Sequence, residues 1–241
     1  MFDHTTLRVS SLSDYAPRFE PVMAALGIKE SASSSSFAFW KDFALSEIIA
    51  DRPQTLGAHL AFVAPSTEHV DAFHAAGLEA GLNDNGAPGP RPYTEDYYGA
   101  FLLDEAGNNF EAVHRPNMRQ GGIIDHIGMR VEDVAASTAF YRTVGEAVGF
   151  GLIRESPESA MFASPTGAIL SISKDEYVTK NLHIAFGGTD DAVDSFHQAA
   201  TDAGYRDNGA PGERPQYHDG FYAAYVLDPD GNNIEVCNHH R

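Results

Sequence analysis

The 241-residue sequence contains one cysteine, Cys237. A single thiol excludes an intrachain disulfide and a zinc cluster built from several cysteines. It fits a reducing compartment, so a cytoplasmic protein is expected. Basic residues are scarce. Lys and Arg total 16 against 34 Asp and Glu, a formal net charge of −18. A nucleic-acid partner, held by clustered Lys and Arg, is therefore not expected. Nor is an anionic membrane surface, and the acidic excess chiefly favours solubility. No stretch approaches the roughly 20 apolar residues of a membrane helix. The opening MFDHTTLRVS has no basic segment leading into an apolar run, so no secretory signal is expected. What remains is ordinary globular composition, 43% hydrophobic and 21% charged, with length for one or two domains.

The chain repeats itself. HLAFVAPSTEHVDAFHAAGLEAGLNDNGAPGPRP, from His59, matches HIAFGGTDDAVDSFHQAATDAGYRDNGAPGERP, from His183. The match continues as FLLDEAGNNFEAV (Phe101–Val113) and YVLDPDGNNIEVC (Tyr225–Cys237). Upstream, DHTTLRV (Asp3–Val9) pairs with DHIGMRV (Asp125–Val131), and the offsets run from 122 to 124 residues. The sequence thus reads as a tandem duplication, with domains over 1–116 and 122–241 and a polar, turn-rich seam between them.

Each copy reads as a doubled unit of strand, helix and two or three strands. TTLRV starts as a strand. Tyr15, Phe19, Val22, Met23 and Leu26 then recur at helical spacing, with Ser13 as N-cap, Gly27 as terminator and a kink or early break expected at Pro21. Strands follow around Ser34–Trp40 and Ala44–Ala50. HLAFVA leads into a second helix with Val70, Phe73, Gly77 and Leu78 on one face. NDNGAPG reads as a turn, and strands are expected around Tyr97–Leu103 and Asn109–His114. The fold class is α+β.

Three polar residues recur at matching places: His4, His59 and Glu111 in the first copy, His126, His183 and Glu235 in the second. Two imidazoles and one carboxylate suit a divalent transition metal and leave coordination positions open for substrate, water or oxygen. A single His beside a strand is more often a hydrogen-bonded surface residue, and shared ancestry alone could preserve the set. His74 and His197, on the apolar faces of helices, read as packing histidines. His69, His114, His239 and His240 read as exposed or terminal. The glycines of DNGAPG and DPDGNN lack the strand-to-helix context of a nucleotide loop.

The succession DHxxxRV, HxAF, DNGAPGxRP and LDPDGNNIEV resembles the vicinal oxygen chelate superfamily, which includes glyoxalase I, extradiol dioxygenases, fosfomycin-resistance enzymes and bleomycin-binding proteins. The resemblance covers nearly the whole chain. It implies two tandem domains of paired βαβββ modules, whose curved mixed sheets wrap a metal and substrate cavity. It implies that His4, His59, Glu111, His126, His183 and Glu235 are metal ligands. In this superfamily a site can take both modules from one domain or exchange them. His4 therefore joins either His59 and Glu111 or His183 and Glu235, and His126 takes the other pair. The fourth ligand of glyoxalase I has Glu47 as its counterpart in the first copy and Ser171, a poor ligand, in the second.

The second copy also resembles the extradiol dioxygenase signature through His218, Tyr225, Asp228, Pro229, Gly231 and Glu235. It departs at Gln216 and Ala224. The first copy departs further, with Phe101, Glu105 and Thr94–Glu95 at the matching places. The resemblance makes His218 and Tyr225 candidate catalytic residues: a His can take the proton of a metal-bound phenol or enol, and a Tyr can donate to an oxyanion. Otherwise His218 is a turn residue and Tyr225 a packed aromatic. Tyr217, Phe221 and Tyr222 either line an aromatic pocket or fill the interior.

The expectation is a divalent-metal-dependent enzyme acting on a small oxygenated, potentially aromatic molecule. Extradiol-like oxygenation with Fe2+ comes first, and a glyoxalase-like lyase or isomerase with Mn2+, Ni2+, Zn2+ or Co2+ second. A non-catalytic drug- or metabolite-sequestering protein is the alternative. Fusion of two copies supplies the pairing that single-copy relatives gain by dimerising, so a monomer is expected, with a homodimer as the other case.

Overall fold

The computed structural model describes residues 2–240. Four modules follow one another. The first is β1 (Phe2–Val9), α1 (Leu12–Ala25), β2 (Ala32–Ser33), β3 (Phe37–Trp40) and β4 (Phe43–Glu47). The second is β5 (His59–Val63), α2 (Thr67–Glu79), β6 (Asn83–Pro90), β7 (Tyr98–Leu103) and β8 (Asn109–His114). The third is β9 (Ile124–Val131), α3 (Val134–Val148), β10 (Gly151–Ser156), β11 (Ser159–Ala163) and β12 (Ile169–Lys174). The fourth is β13 (His183–Gly187), α4 (Asp190–Asp202), β14 (Arg206–Glu213), β15 (Tyr222–Leu227) and β16 (Asn233–Asn238).

The strands form two mixed sheets of eight. Their orders are β14-β15-β16-β13-β1-β4-β3-β2 and β10-β11-β12-β9-β5-β8-β7-β6. The first module thus shares a sheet with the fourth, and the second with the third. Two compact units emerge, Thr6–Gly128, and Met129–Arg241 together with Met1–Thr5. The change of unit falls inside β9, beyond the polar 116–122 segment. Among the described residues no helix is long and apolar enough to cross a membrane.

In the unit Thr6–Gly128, α1 buries Leu12, Tyr15, Phe19, Val22 and Met23. Phe19 packs edge-on to Phe110 with ring centroids 4.7 Å apart, and Trp40 and Phe43 complete the cluster. Of the kink or early break expected at Pro21, the break is absent, and α1 runs through both Pro17 and Pro21. These prolines are four residues apart and exposed, so the backbone bonds they forgo lie on the solvent side while the buried face stays anchored. The N-cap is Ser11, not Ser13. In α2, Gly77 lets the helix approach β7, because a Cβ there would meet Leu102 Cδ1 at 2.1 Å. Leu78, expected on the same face, is exposed instead.

NDNGAPG is a strand rather than a turn. It lies within β6, which pairs with β7 through register breaks on both sides of Gly86. The Asp84 carboxylate accepts from Gly86 N at 2.9 Å, a local turn folded into a bulged strand. Gly86 and Gly209, its counterpart in β14, have φ of +151° and +153°, which glycine alone adopts without strain.

In the unit Met129–Arg241 with Met1–Thr5, Phe2, Phe150 and Phe186 form one aromatic cluster and Phe140, Tyr141 and Phe162 another. The GNN segments hold corresponding places in the two units. Asp104 accepts from Ala106 N, Asn108 N and Tyr15 Oη. Asp228 accepts from Asp230 N, Asn232 N and Tyr141 Oη. Asn108 and Asn232 then accept from Ala58 N and Leu182 N. These are the residues just before His59 and His183, so each turn fixes where the next strand begins.

Candidate metal centres

Direct cross-strand partners share one face of a sheet. Gly86, Phe101, Glu111, Ala61 and His126 are successive partners across β6, β7, β8, β5 and β9, and so form one row. His59, two residues before Ala61, lies on the same face. Between Glu111 and His126 the row carries only the Ala61 methyl, which leaves room above it. Gly128 stands opposite His59, and a Cβ there would press on the ring at 2.9 Å. In the other sheet Gly209, Tyr225, Glu235 and Ala185 form the equivalent row, with His183 two residues before Ala185.

The six histidines and glutamates gather in two groups, His59, Glu111 and His126 in one and His4, His183 and Glu235 in the other. Each group lies within one compact unit. Of the two pairings left open by the sequence, the exchanged one is found. His59 Nε2 and His126 Nε2 are 3.1 Å apart, and Glu111 Oε2 is 3.2 and 3.3 Å from them. In the second group His4 Nε2 and His183 Nε2 are 3.2 Å apart, with Glu235 Oε2 at 3.7 and 3.0 Å. Three donors each about 2.1 Å from one ion, at mutual right angles, stand about 3 Å apart, so both triangles have the size a transition-metal ion requires.

The ring orientations agree. Asp3 Oδ1 accepts from His4 Nδ1 at 2.8 Å, and Asp125 Oδ2 from His126 Nδ1 at 2.9 Å. His183 Nδ1 faces the Asn233 carbonyl at 3.2 Å. The carboxylates keep the proton on Nδ1 of His4 and His126 and turn their Nε2 lone pairs toward the triangle, whereas His183 Nδ1 also meets the Asn233 side-chain amide nitrogen at 2.8 Å. The Asn109 side-chain amide bonds His59 Nδ1 at 3.0 Å. Both carboxylates are buried. Converging lone pairs and a buried carboxylate call for a cation, and without a metal a proton takes that role. Burial opposes charge on His126, but Asp125 and Glu111 outweigh it and push the ring up to about 9. Burial likewise works to raise Glu111, yet its bonds to His126 and His59 hold it down at about 2. In the other group Glu235 Oε1 is buried with no hydrogen-bond partner among the described residues. The donor set and this orphaned oxygen both fit a metal and its ligand.

Glu47 belongs to neither group. It is exposed at the end of β4, where Oε2 accepts from Leu12 N at 3.4 Å. Tyr225 lies beside its triad, with its ring centroid 6.5 Å from that of His183. Burial and the Glu235 charge drive its phenol well above the ordinary range. His218 bonds the Asp219 carbonyl at 2.9 Å and His239 Nδ1 at 2.9 Å. His239 Nε2 in turn reaches Asp3 Oδ1 at 3.0 Å. His218 thus connects to His4 through His239 and Asp3. The expected packing histidines, His74 and His197, bond Asp84 and Asp207.

Five participants escaped the sequence reading. Asp3 and Asp125 orient ligand rings, and the signal was the DH pair that opens both copies. Arg115 grips Asp125 through two 3.0 Å bonds, and His239, read as terminal, takes the matching place at Asp3. Tyr97 donates to Glu111 Oε1 at 2.5 Å, while the matching residue in the other unit is Phe221. Asp3, Cys237 and His239 also bring three donor atoms together, but that carboxylate is already shared by His4 and His239.

The family model described as Glyoxalase/Bleomycin resistance protein/Dioxygenase superfamily matches residues 123–236. A comparison with curated proteins finds no match. Among solved structures, glyoxalase I from Zea mays is 19% identical with a TM-score of 0.68, covering 98% of this chain and 92% of that one. A Bacillus subtilis protein provisionally named a dioxygenase is 12% identical with a TM-score of 0.67, covering 98% and 84%. A glyoxalase/bleomycin resistance protein from Albidiferax ferrireducens is 32% identical with a TM-score of 0.44, covering 48% of this chain and 99% of that one. The two long matches share the fold.

Proposed function

The chain belongs to the glyoxalase/bleomycin resistance protein/dioxygenase superfamily, and from that premise we propose that it is a divalent-metal-dependent enzyme acting on a small molecule with two neighbouring oxygens. The observation that carries this reading is the pair of triangles, each of two imidazole Nε2 atoms and one buried carboxylate oxygen 3.0–3.7 Å apart. His4, His183 and Glu235 would hold one ion, and His59, Glu111 and His126 another. A bound ion supplies Lewis-acid activation of the chelated oxygens and, as Fe2+, access to oxygen chemistry. Mn2+, Ni2+, Zn2+ and Co2+ suit the same donors.

Oxygenation of the extradiol kind is the favoured reaction, at the His4, His183 and Glu235 site. There Tyr225 can donate a proton to an oxyanion, since burial beside Glu235 keeps the phenol protonated. His218 and His239 can hold a proton near the site. The exposed position of Glu47 argues against the four-ligand lyase or isomerase alternative. Two complete donor sets argue against simple sequestration.

Elemental analysis of protein purified without oxygen or chelator tests the reading. About two equivalents of iron, with oxygen uptake on adding catechols, is the expected result. Nickel, zinc or manganese without oxygen uptake would replace the oxygenase with a lyase or isomerase. No metal, and none regained from any of these ions, would overturn the enzyme reading in favour of a sequestering protein.

A further inference from the structure

DNGAPGxRP occurs in both copies, and the metal triads leave its arginine unexplained. Arg91 and Arg214 hold the same posture. Arg91 lies over the Phe101 ring at 5.2 Å from its centroid, and Arg214 over Tyr225 at 5.6 Å. Each guanidinium is tied back to its own hairpin. Arg91 donates to the Ala87 and Pro90 carbonyls, and Arg214 to the Ala210 and Glu213 carbonyls. Phe101 and Tyr225 are the direct strand partners of Glu111 and Glu235, on the face that carries the triads. Gly86 and Gly209 make the layering feasible, since a Cβ there would strike those rings at 2.9 and 2.8 Å. Ligand imidazole, aromatic ring and guanidinium therefore follow in sequence across each site, with His59 and Phe101 rings 6.3 Å apart and His183 and Tyr225 rings 6.5 Å apart.

The charge on these arginines is held but not neutralised. Arg18, Arg115, Arg119 and Arg142 all pair with carboxylates. Arg91 and Arg214, like Arg52, Arg154 and Arg206, show no such pair among the described residues. Fixed on backbone carbonyls, each keeps free N–H groups and a full positive charge beside the metal-binding face. Around the two arginines the neighbours have diverged: Phe101 stands against Tyr225, and Tyr97 against Phe221. The posture itself has not.

We infer that Arg91 and Arg214 are substrate-recognition residues, each taking a carboxylate at the end of the substrate remote from the oxygens the metal chelates. The inference rests on the metal-centre reading above and narrows it to carboxylated substrates. A lone guanidinium with two donors already engaged matches a single-charge carboxylate better than a dianionic phosphate.

The test compares catechol with 3,4-dihydroxybenzoate by calorimetry on zinc-loaded protein at neutral pH, with zinc content measured in every sample. Wild type should bind the carboxylated probe at least tenfold more tightly. The double variant Arg91→Met/Arg214→Met should keep its zinc and lose that preference. Arg91→Gln/Arg214→Gln retains donors for the hairpin carbonyls and serves if the methionine variant does not fold, with the same loss expected. A preference that survives removal of both charges, or equal binding of the two probes by wild type, overturns this inference and leaves the metal centres intact. Protein that takes up no zinc overturns the metal reading and this inference with it.

Discussion

The two triads are nearly superimposable in chemistry, yet their supports differ in kind. Around His126, Asp125 is fully buried, and both its oxygens accept from Arg115 Nη2. Around His4, Asp3 is partly exposed and meets His239, which leans on His218. Three hydrogen bonds run through that second pair of rings: to the Asp219 carbonyl, between the rings, and to the Asp3 carboxylate. One support is thus an arginine–carboxylate pair and the other a chain of two histidine rings. The phenols are exchanged as well. Tyr97 binds the ligand carboxylate in one site, whereas Tyr225 stands beside it in the other. The donor triangle is the same twice, and its surroundings differ.

The largest expected effect is loss of an ion. His183→Ala and Glu235→Ala should each remove one of two metal equivalents, as should His59→Ala and Glu111→Ala. Double variants test the exchanged pairing directly. His4→Ala with His183→Ala should still cost one equivalent, because both serve one site. His4→Ala with His59→Ala should cost both. The opposite pattern by elemental analysis would return each His to the site of its own sequence copy.

Next in size is the contrast between the two supports. Arg115→Ala leaves the buried Asp125 carboxylate without its charge partner, a loss of about 3 kcal/mol or more. His239→Ala exposes Asp3 further to water, which replaces much of the interaction, so about 1 kcal/mol is expected. Denaturant unfolding of both variants measures the difference. Equal losses would mean that Asp3 is as dependent on its partner as Asp125, and the contrast would collapse.

The sequence made the repeat, the module order and the six ligand candidates legible, because each rests on local pattern. HxAF begins a strand with its His first, and the Glu of NNFEAV or NNIEVC sits at one fixed register from it. Which His joins which pair was not legible, because strand order is set by contacts far apart along the chain. β6 was misread for a different reason. Asn, Gly and Pro favour turns, but here a bulged edge strand uses the same backbone freedom. Pro21 was overridden by the burial of Phe19, Val22 and Met23. Asp3 and Asp125 were visible as neighbours of His, yet their partners, Arg115 and His239, lie just past β8 and just past β16, and only pairing across strands brings them together.

The smallest effect concerns the phenol exchange. Tyr97→Phe removes the donor that serves Glu111 Oε1 and should cost about 1–2 kcal/mol, since the oxygen stays buried. Tyr225→Phe should change stability less, because among the described residues Glu235 Oε1 shows no hydrogen-bond partner within bonding distance. Phe221→Tyr sharpens the point. Phe221 holds the place of Tyr97, is equally buried, and its new hydroxyl would meet the orphaned oxygen. In metal-free protein it should gain about 1 kcal/mol, read as a raised melting temperature. The same substitution should weaken oxygen uptake, since a carboxylate oxygen engaged by a phenol no longer faces substrate. An unchanged or lowered melting temperature would mean that Glu235 already finds a donor, with Tyr225 the first to examine, and the two sites would then differ only in which strand supplies the same bond.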